Sequence, residues 1–214
     1  MAPKPQPFTL AIPEVAIADL KARLALTRLP DQTPGEPWAY GTDVAYLKGL
    51  LAYWQDGFDW RAEEARLNAF PQFTVPLHGI DLHYLLVPGV GPNPTPLLLM
   101  HGWPGSVFEF LDIIPRLTDP ARFGGDPADA FTVIAPSLPG YGLSFRPGQP
   151  RFSVEAIADC LAALMTDVLG YPRFGAQGGE AWVAEDVGHQ RREAIGDRLD
   201  AEAWLAGAEG KSVT

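Results

Sequence analysis

Two short segments place bend-forming residues directly after apolar runs, an arrangement typical of sites at the edge of a sheet. The segment HGWPGS, from His101 to Ser106, follows the run 96–100. The segment PSLPGYGLS, residues 136–144, follows the run 131–135 and contains two prolines and two glycines. Open α/β sheets bind ligands at the carboxyl ends of their strands. Gly102 and Pro104 bend the chain sharply and let backbone N–H groups point into that crevice.

Both segments also have a purely structural interpretation. His101 could do no more than fill a hydrogen bond within a Gly/Pro turn, although the helix predicted directly after Ser106 favours the functional interpretation. The loop 136–144 could mainly support the first turn, and we assign Ser144 no chemistry.

Three further residues of chemically useful types are interpreted as structural. His78 and His83 lie on a predicted hairpin without a third ligand at metal spacing, so we expect both at the surface or at a sheet edge. Cys160 lies in an apolar run of helical period, which predicts a buried thiol rather than a reactive nucleophile.

The elements that must position these segments alternate between strands and helices. Strands are predicted at 73–77 and 80–87, joined by a tight turn at His78 and Gly79. The runs 96–100 and 131–135 lack polar alternation, which is typical of parallel strands buried on both faces. Helices are predicted at 107–117 and after Ser153, followed by a short strand at 173–177. This order predicts a doubly wound α/β fold.

The N-terminal third is predicted to be helical. Ile17, Leu20 and Leu24 recur at helical spacing, a second helix follows Thr42-Asp43, and a third runs from Asp59 to Asn68. An aromatic band in this region is interpreted as an apolar clamp on the domain surface rather than a substrate pocket. The band consists of Trp38, Tyr40, Trp54, Phe58 and Trp60.

Composition excludes some classes of function. The net charge of −10 disfavours nucleic acid as a partner, since phosphate binding requires a basic surface. The first residues show neither a signal peptide nor a membrane anchor, which predicts a cytoplasmic protein. No metal or organic cofactor is expected.

Several motifs together resemble the N-terminal part of the microsomal-type epoxide hydrolases. FDWR at 58–61 and LNAF at 67–70 resemble the N-terminal epoxide hydrolase domain, HGWPGS is similar to the family's oxyanion-hole loop, and PSLPGYGLS matches the loop after the next strand. With GAQGG at 175–179, the resemblance covers about residues 8–179. It implies three regions: an N-terminal epoxide hydrolase segment at 1–72, the first half of an α/β-hydrolase domain at 73–180, and a divergent charged tail at 181–214.

The resemblance also implies a reaction. A carboxylate at the strand-to-helix turn attacks one carbon of a small apolar epoxide and forms an ester, and water activated by a histidine then hydrolyses it. The backbone N–H of Trp103 would be one oxyanion donor, and lid tyrosines would protonate the opening oxygen. The roles associated with the family are detoxification and the catabolism of aromatic hydrocarbons.

The pattern departs from the family at the nucleophile position. Family members read Gly-Gly-Asp-Trp-Gly, whereas residues 178–182 read GGEAW and place Glu180 at the nucleophile position. Glutamate adds about 1.5 Å of reach, and a misplacement of about 1 Å can cost roughly a hundredfold in rate. Trp182 is also bulky for a strained nucleophile turn. We therefore expect an inactive or severely impaired chain.

The residues after Glu180 carry no family match. We interpret 183–206 as one charged helix, in which His189 is a surface residue, and the tail as the product of a truncated, frame-shifted or recombined gene. The competing hypothesis is a non-catalytic binding or interaction module that keeps the oxyanion loop as scaffold. In a truncated α/β-hydrolase sheet the strand 173–177 would lack an outer partner, which predicts self-association through an unpaired edge. A third hypothesis is a serine or haloalkane-type hydrolase of the same fold. The absence of Gly-x-Ser-x-Gly disfavours the serine hydrolase, and the N-terminal segment that resembles the epoxide hydrolases disfavours the dehalogenase.

Overall fold

A computed structural model describes residues 3–178, and its elements divide into two compact units. One unit is Leu10–Ala69, and the other joins the residues before Leu10 to those from Phe70 onward. The predicted tail helix and Glu180 lie outside the described residues. No helix in residues 3–178 combines the length and the apolar character that crossing a bilayer requires.

The unit Leu10–Ala69 contains three helices, as the sequence predicts. They are α1 (Glu14–Ala25), α2 (Val44–Ala52), which continues into a π turn at Tyr53–Gly57, and α3 (Trp60–Asn68). Asp43 and Asp59 cap α2 and α3, accepting hydrogen bonds from the backbone N–H groups of Tyr46 (2.8 Å) and Ala62 (3.1 Å).

Polar contacts tie the chain before α1 to α3. Asn68 bonds both the N–H (2.9 Å) and the C=O (2.8 Å) of Leu10, and Glu64 accepts from the N–H of Ile12 at 2.7 Å. Arg61 bridges Glu64 (2.6 Å) and Glu14 (2.9 Å). The Ile12 N–H, followed by Arg61, lowers the pKa of Glu64 below its ordinary value.

The residues of the aromatic band fall into two groups, one that lines a cavity and one that is exposed. Trp54, Phe58 and Trp60 line a cavity of about 140 Å³ together with apolar side chains of α1, such as Ile17 and Leu20. In contrast, 55 % of Trp38 and 82 % of Tyr40 are exposed.

Within residues 3–178, the other unit is built on a mixed sheet of six strands. Its strands are β1 (Gln6–Pro7), β2 (Gln72–Leu77), β3 (Ile80–Val87), β4 (Thr95–Met100), β5 (Phe131–Pro136) and β6 (Gly175–Gly178). They lie in the order β1-β2-β3-β5-β4-β6. β2 and β3 form the predicted hairpin, and β4 runs parallel to both β5 and β6. The predicted α/β class and the hairpin are thus confirmed.

The helices on the sheet agree with prediction in one case and differ in the other. Ser153 caps α5 (Val154–Ala163), which continues into a π turn at Leu164–Val168, and its apolar face packs in the core with Leu98 and Ile134. The prediction of a single helix at 107–117 is wrong. A 3₁₀ turn at Val107–Phe110 is separated from α4 (Ile114–Thr118), because Pro115 has no N–H to continue a helix from the preceding turn.

Candidate active site at the carboxyl ends of the parallel strands

The chain leaves β4 through a buried histidine. His101 is 1 % exposed, and its Nε2 lies 3.0 Å from the backbone N of Leu138, which can only donate. Nε2 is therefore the acceptor, so Nδ1 carries the proton and donates to the C=O of Gly102 at 3.0 Å. The ring of Tyr141 packs edge-on against the imidazole, with centroids 6.2 Å apart. The histidine thus joins the turn after β4 to the loop after β5.

The turn after His101 is fixed at its far end by a capping box. Ser106 and Glu109 cap each other's backbone N–H groups at the start of the 3₁₀ turn. The backbone N of Ser106 donates to Oε1 of Glu109 at 3.0 Å. A Cβ at Gly105 would overlap this Glu109 carboxylate, which would have to leave the Ser106 N–H, and would lie a tight 3.1 Å from the C=O of Gly102.

Trp103 lies at the centre of this turn. Its side chain is 69 % exposed, so the turn reaches solvent although the histidine before it is buried. Within residues 3–178, the backbone and side-chain hydrogen bonds leave the N–H of Trp103 unused. The turn therefore presents a backbone donor at the carboxyl end of β4.

The loop after β5 is held by a buried polar cluster, which we define as Gln72, His83, Ser137 and Ser144. All four are buried, with exposures of 4 % or less. His83 lies 3.0 Å from Ser137 Oγ through Nδ1 and 3.1 Å from Gln72 Oε1 through Nε2. Ser144 Oγ accepts from the backbone N–H of His83 (2.9 Å) and donates to the C=O of Ser137 (2.7 Å).

The expected surface or edge position of His83 is therefore wrong. It is 0 % exposed, because β3 is an interior strand between β2 and β5, and the edge of the Phe8 ring lies against the imidazole with centroids 5.0 Å apart. Burial lowers the pKa of His83 to about 4. The sequence held a signal, since His83 lies within LHYLLV, an otherwise apolar run that is typical of a strand covered on both faces.

The pairing of β6 with β4 shows where the chain leaves β6. Gly178, the last residue of β6, pairs with Met100, the last residue of β4. The chain therefore leaves β6 beside the point where it leaves β4 for His101. Glu180 follows two residues later and lies outside the described residues, so its predicted role remains a prediction.

Two other sequence predictions agree with the structure. His78 is exposed at the hairpin turn, with a positive φ of 49°, and Cys160 is fully buried in the core. Burial raises the pKa of the Cys160 thiol to about 12, which keeps it protonated and unreactive at neutral pH. In the described part of the chain, no three His, Cys, Asp or Glu side chains cluster as metal ligands.

Comparison with known proteins points to a single family. A family model described as the epoxide hydrolase N terminus matches residues 5–110, and one described as the alpha/beta hydrolase fold matches residues 95–179. A candidate epoxide hydrolase of Stigmatella aurantiaca is 48 % identical over 174 residues, which cover 81 % of this chain and 39 % of that protein. Epoxide hydrolase 1 of Oryctolagus cuniculus is 40 % identical over 82 % of this chain and 39 % of its own length.

Two solved structures similar to this chain are also epoxide hydrolases. The juvenile hormone epoxide hydrolase of the silkworm Bombyx mori superposes with a TM-score of 0.76 at 29 % identity, over 90 % of this chain and 51 % of that one. The Aspergillus niger epoxide hydrolase gives 0.73 at 33 % identity, over 89 % of this chain and 49 % of that one. The chain thus spans about two fifths of the curated relatives and about half of the solved chains.

Proposed function

Because the chain belongs to the epoxide hydrolase family, we propose that it builds the oxyanion side of a site that opens small apolar epoxides. The observation that carries the proposal is the pairing of Met100 with Gly178. It brings the start of the HGWPGS turn and the approach to the nucleophile position to the same edge of the sheet.

In the proposed reaction, a carboxylate oxygen at position 180 attacks one epoxide carbon and the C–O bond at that carbon breaks. The released alkoxide takes a proton, and an ester joins substrate and protein. Water then adds to the ester carbonyl, giving a tetrahedral oxyanion that the N–H of Trp103 stabilises. Collapse releases the diol and restores the carboxylate, so the reaction requires neither metal nor organic cofactor.

We propose that a polypeptide of these 214 residues performs at most the first half of this sequence. The position that carries aspartate in the family carries Glu180, followed by Ala181 and Trp182 rather than the small residues that a nucleophile turn needs. Ester hydrolysis requires a base, and removing one nucleophile or base elsewhere costs on the order of a millionfold.

Incubation of the purified polypeptide with styrene oxide tests this directly. We expect no steady diol formation, while a slow, single alkylation of Glu180 detected by peptide mass spectrometry agrees with the proposal. Multiple turnovers that Glu180→Ala abolishes would contradict it.

A chimera tests the oxyanion role separately. Residues 5–178 would replace the matching part of the Stigmatella relative, which then supplies everything that follows. We expect the chimera to form diol, and Gly105→Val in it to lower kcat by roughly 10²- to 10³-fold, since the added side chain displaces the turn. Gly49→Ala, at a helical position with open space around it, serves as matched control. Equal kcat in both variants would contradict the proposed oxyanion role of this turn.

We also propose a cytoplasmic location and a role in detoxification or in the catabolism of aromatic hydrocarbons. A buried, protonated Cys160 is compatible with a reducing cytoplasm, and an apolar epoxide substrate with detoxification or the catabolism of aromatic hydrocarbons. The net charge of −10 supports the absence of a nucleic-acid partner.

We also propose self-association through β6. Within residues 3–178, β4 is the only strand that pairs with β6, and Ala176, Gln177 and Gly178 are exposed. A strand edge with unused N–H and C=O groups can pair with the same edge of a second chain. The exposure of β6 on the side away from β4, within residues 3–178, is the observation that favours the non-catalytic alternative, an interaction module.

A further inference from the structure

The buried polar cluster has one consistent arrangement of protons. Nε2 of His83 faces the carbonyl oxygen of Gln72 and must donate, so Nδ1 is the acceptor and receives the hydroxyl proton of Ser137. Ser144 Oγ–H donates its own proton to the C=O of Ser137. The neutral ring of His83 therefore fixes the hydroxyl of Ser137, while the backbone N–H of the same residue fixes that of Ser144.

The cluster continues into the HGWPGS turn through the backbone. Ser137 donates its N–H to the C=O of His83 at 3.0 Å, which places the next residue, Leu138. The N–H of Leu138 donates to Nε2 of His101, whose Nδ1–H donates to the C=O of Gly102. Gly102 immediately precedes Trp103. An unbroken series of hydrogen bonds and peptide units therefore leads from His83 to the donor of the turn.

We infer that His83 is a positioning residue that sets the orientation of the Gly102–Trp103 turn through Ser137, Leu138 and His101. The inference rests on the proposed oxyanion role of Trp103. A donor in such a site must be held within about 0.5 Å of its productive position by groups that are themselves fixed. His83 meets that requirement because it is fully buried and bonded at both ring nitrogens and at its backbone N–H and C=O.

Two features favour this role over simple filling of space. An apolar side chain at position 83 would fill the same volume without accepting the hydroxyl proton of Ser137, and burying an unpaired polar group is costly. The lowered pKa of His83, a consequence of its burial, keeps the ring neutral at physiological pH and so preserves the single proton arrangement.

Nuclear magnetic resonance of the 214-residue chain, with ¹⁵N in the imidazole rings, tests the inference. We expect His83 to carry its proton on Nε2 and His101 on Nδ1, which two-bond ¹H–¹⁵N spectra distinguish. In His83→Leu we expect the His101 Nδ1–H pattern to be lost, the Trp103 backbone amide to shift, and the Leu138 amide to exchange with solvent roughly tenfold faster. His83→Asn keeps an acceptor for Ser137 and should restore all three signals towards their native values.

Controls make the result decisive. Val75→Ala removes apolar volume from a fully buried position of β2 and should leave the His101 and Trp103 signals unchanged. Should His83→Leu fail to fold, Ser137→Ala interrupts the same series more mildly and should accelerate exchange of the Leu138 amide. Native His101 and Trp103 signals in a folded His83→Leu or in Ser137→Ala would overturn the inference, as would His101 protonated on Nε2.

The readout is independent of epoxide chemistry. An inactive chimera together with the expected spectra would refute the proposed oxyanion role and leave the positioning of the turn by His83 intact. An active chimera with unchanged spectra in the variants would refute the positioning and leave the proposed function intact.

Discussion

Replacing His83 by glutamine is expected to remove a defined part of the acid sensitivity of folding. In the folded chain the pKa of His83 is lowered by burial from 6.5 to about 4. Between these values the unfolded chain binds the proton and the folded chain does not, so the free energy of unfolding falls as the pH falls from about 6.5 to about 4. Below about 4 both states are protonated and the loss is complete.

The size of the effect follows from the two pKa values. Each tenfold change in proton affinity corresponds to about 1.4 kcal/mol, so a difference of about 2.5 gives about 3 kcal/mol. The side chains in contact with the ring, Gln72, Ser137 and Phe8, are all uncharged. Desolvation is therefore not offset by a counter-charge among these contacts, and about 3 kcal/mol is large against a typical total stability of 5–15 kcal/mol.

Urea unfolding at several pH values between about 7 and about 4 measures this contribution. Glutamine loses hydrogen bonds, so His83→Gln should be less stable than the native chain at neutral pH, but the difference should shrink by about 3 kcal/mol towards pH 4. Val75→Ala, which also destabilises the sheet but removes no titrating group, should keep a constant difference. A His83→Gln difference that does not change with pH would refute the reasoning.

Three other predictions concern separate parts of the chain. Gly49→Ala should raise the free energy of unfolding of the helical unit by about 1 kcal/mol, because a Cβ there meets no atom within 4 Å and alanine favours the helix; urea unfolding with no gain would contradict this. Glu180→Asp alone should not give multiple turnovers of styrene oxide, since ester hydrolysis needs a base; repeated turnover would show that some residue, such as His189, supplies it. Light scattering after size-exclusion chromatography should show oligomers that increase with concentration, whereas a sharp 23.2 kDa monomer would rule out pairing through β6.

The parts of the fold that could be predicted are those with a strong period. The hairpin at 72–87 followed from two apolar runs around His78-Gly79, and the interior strands β4 and β5 from runs without polar alternation. Helix starts could be predicted equally well, because Asp59 and Ser153 each accept a hydrogen bond from the backbone N–H of the residue three positions later. In each case the deciding interaction is local, so the sequence alone contains it.

The failures arose where distant residues decide the outcome. The position of His83 on a predicted hairpin suggests the surface or a sheet edge, but its partners Ser137 and Ser144 lie 54 and 61 residues away and no local pattern connects them. The helix expected at 107–117 failed for a different reason. Apolar spacing alone predicts one helix there, but Pro115 cannot donate the backbone hydrogen bond that would join its turn to the preceding one, so one turn ends and another starts.

The candidate site also contains one part that local sequence predicts and another that depends on distant residues. The turn from His101 to Ser106 was predicted from its residues, and the hydrogen bonds that hold it are made within residues 72–144: those of His101 with Leu138 and Gly102, and that of Ser106 with Glu109. None of these hydrogen bonds involves β6, so the proposed oxyanion turn is held by contacts between other parts of the described chain. We therefore expect a fault at Glu180 to leave the turn intact. Replacing everything after Gly178 by the matching part of an active relative, which supplies both the nucleophile and the base, is the change that we expect to restore catalysis.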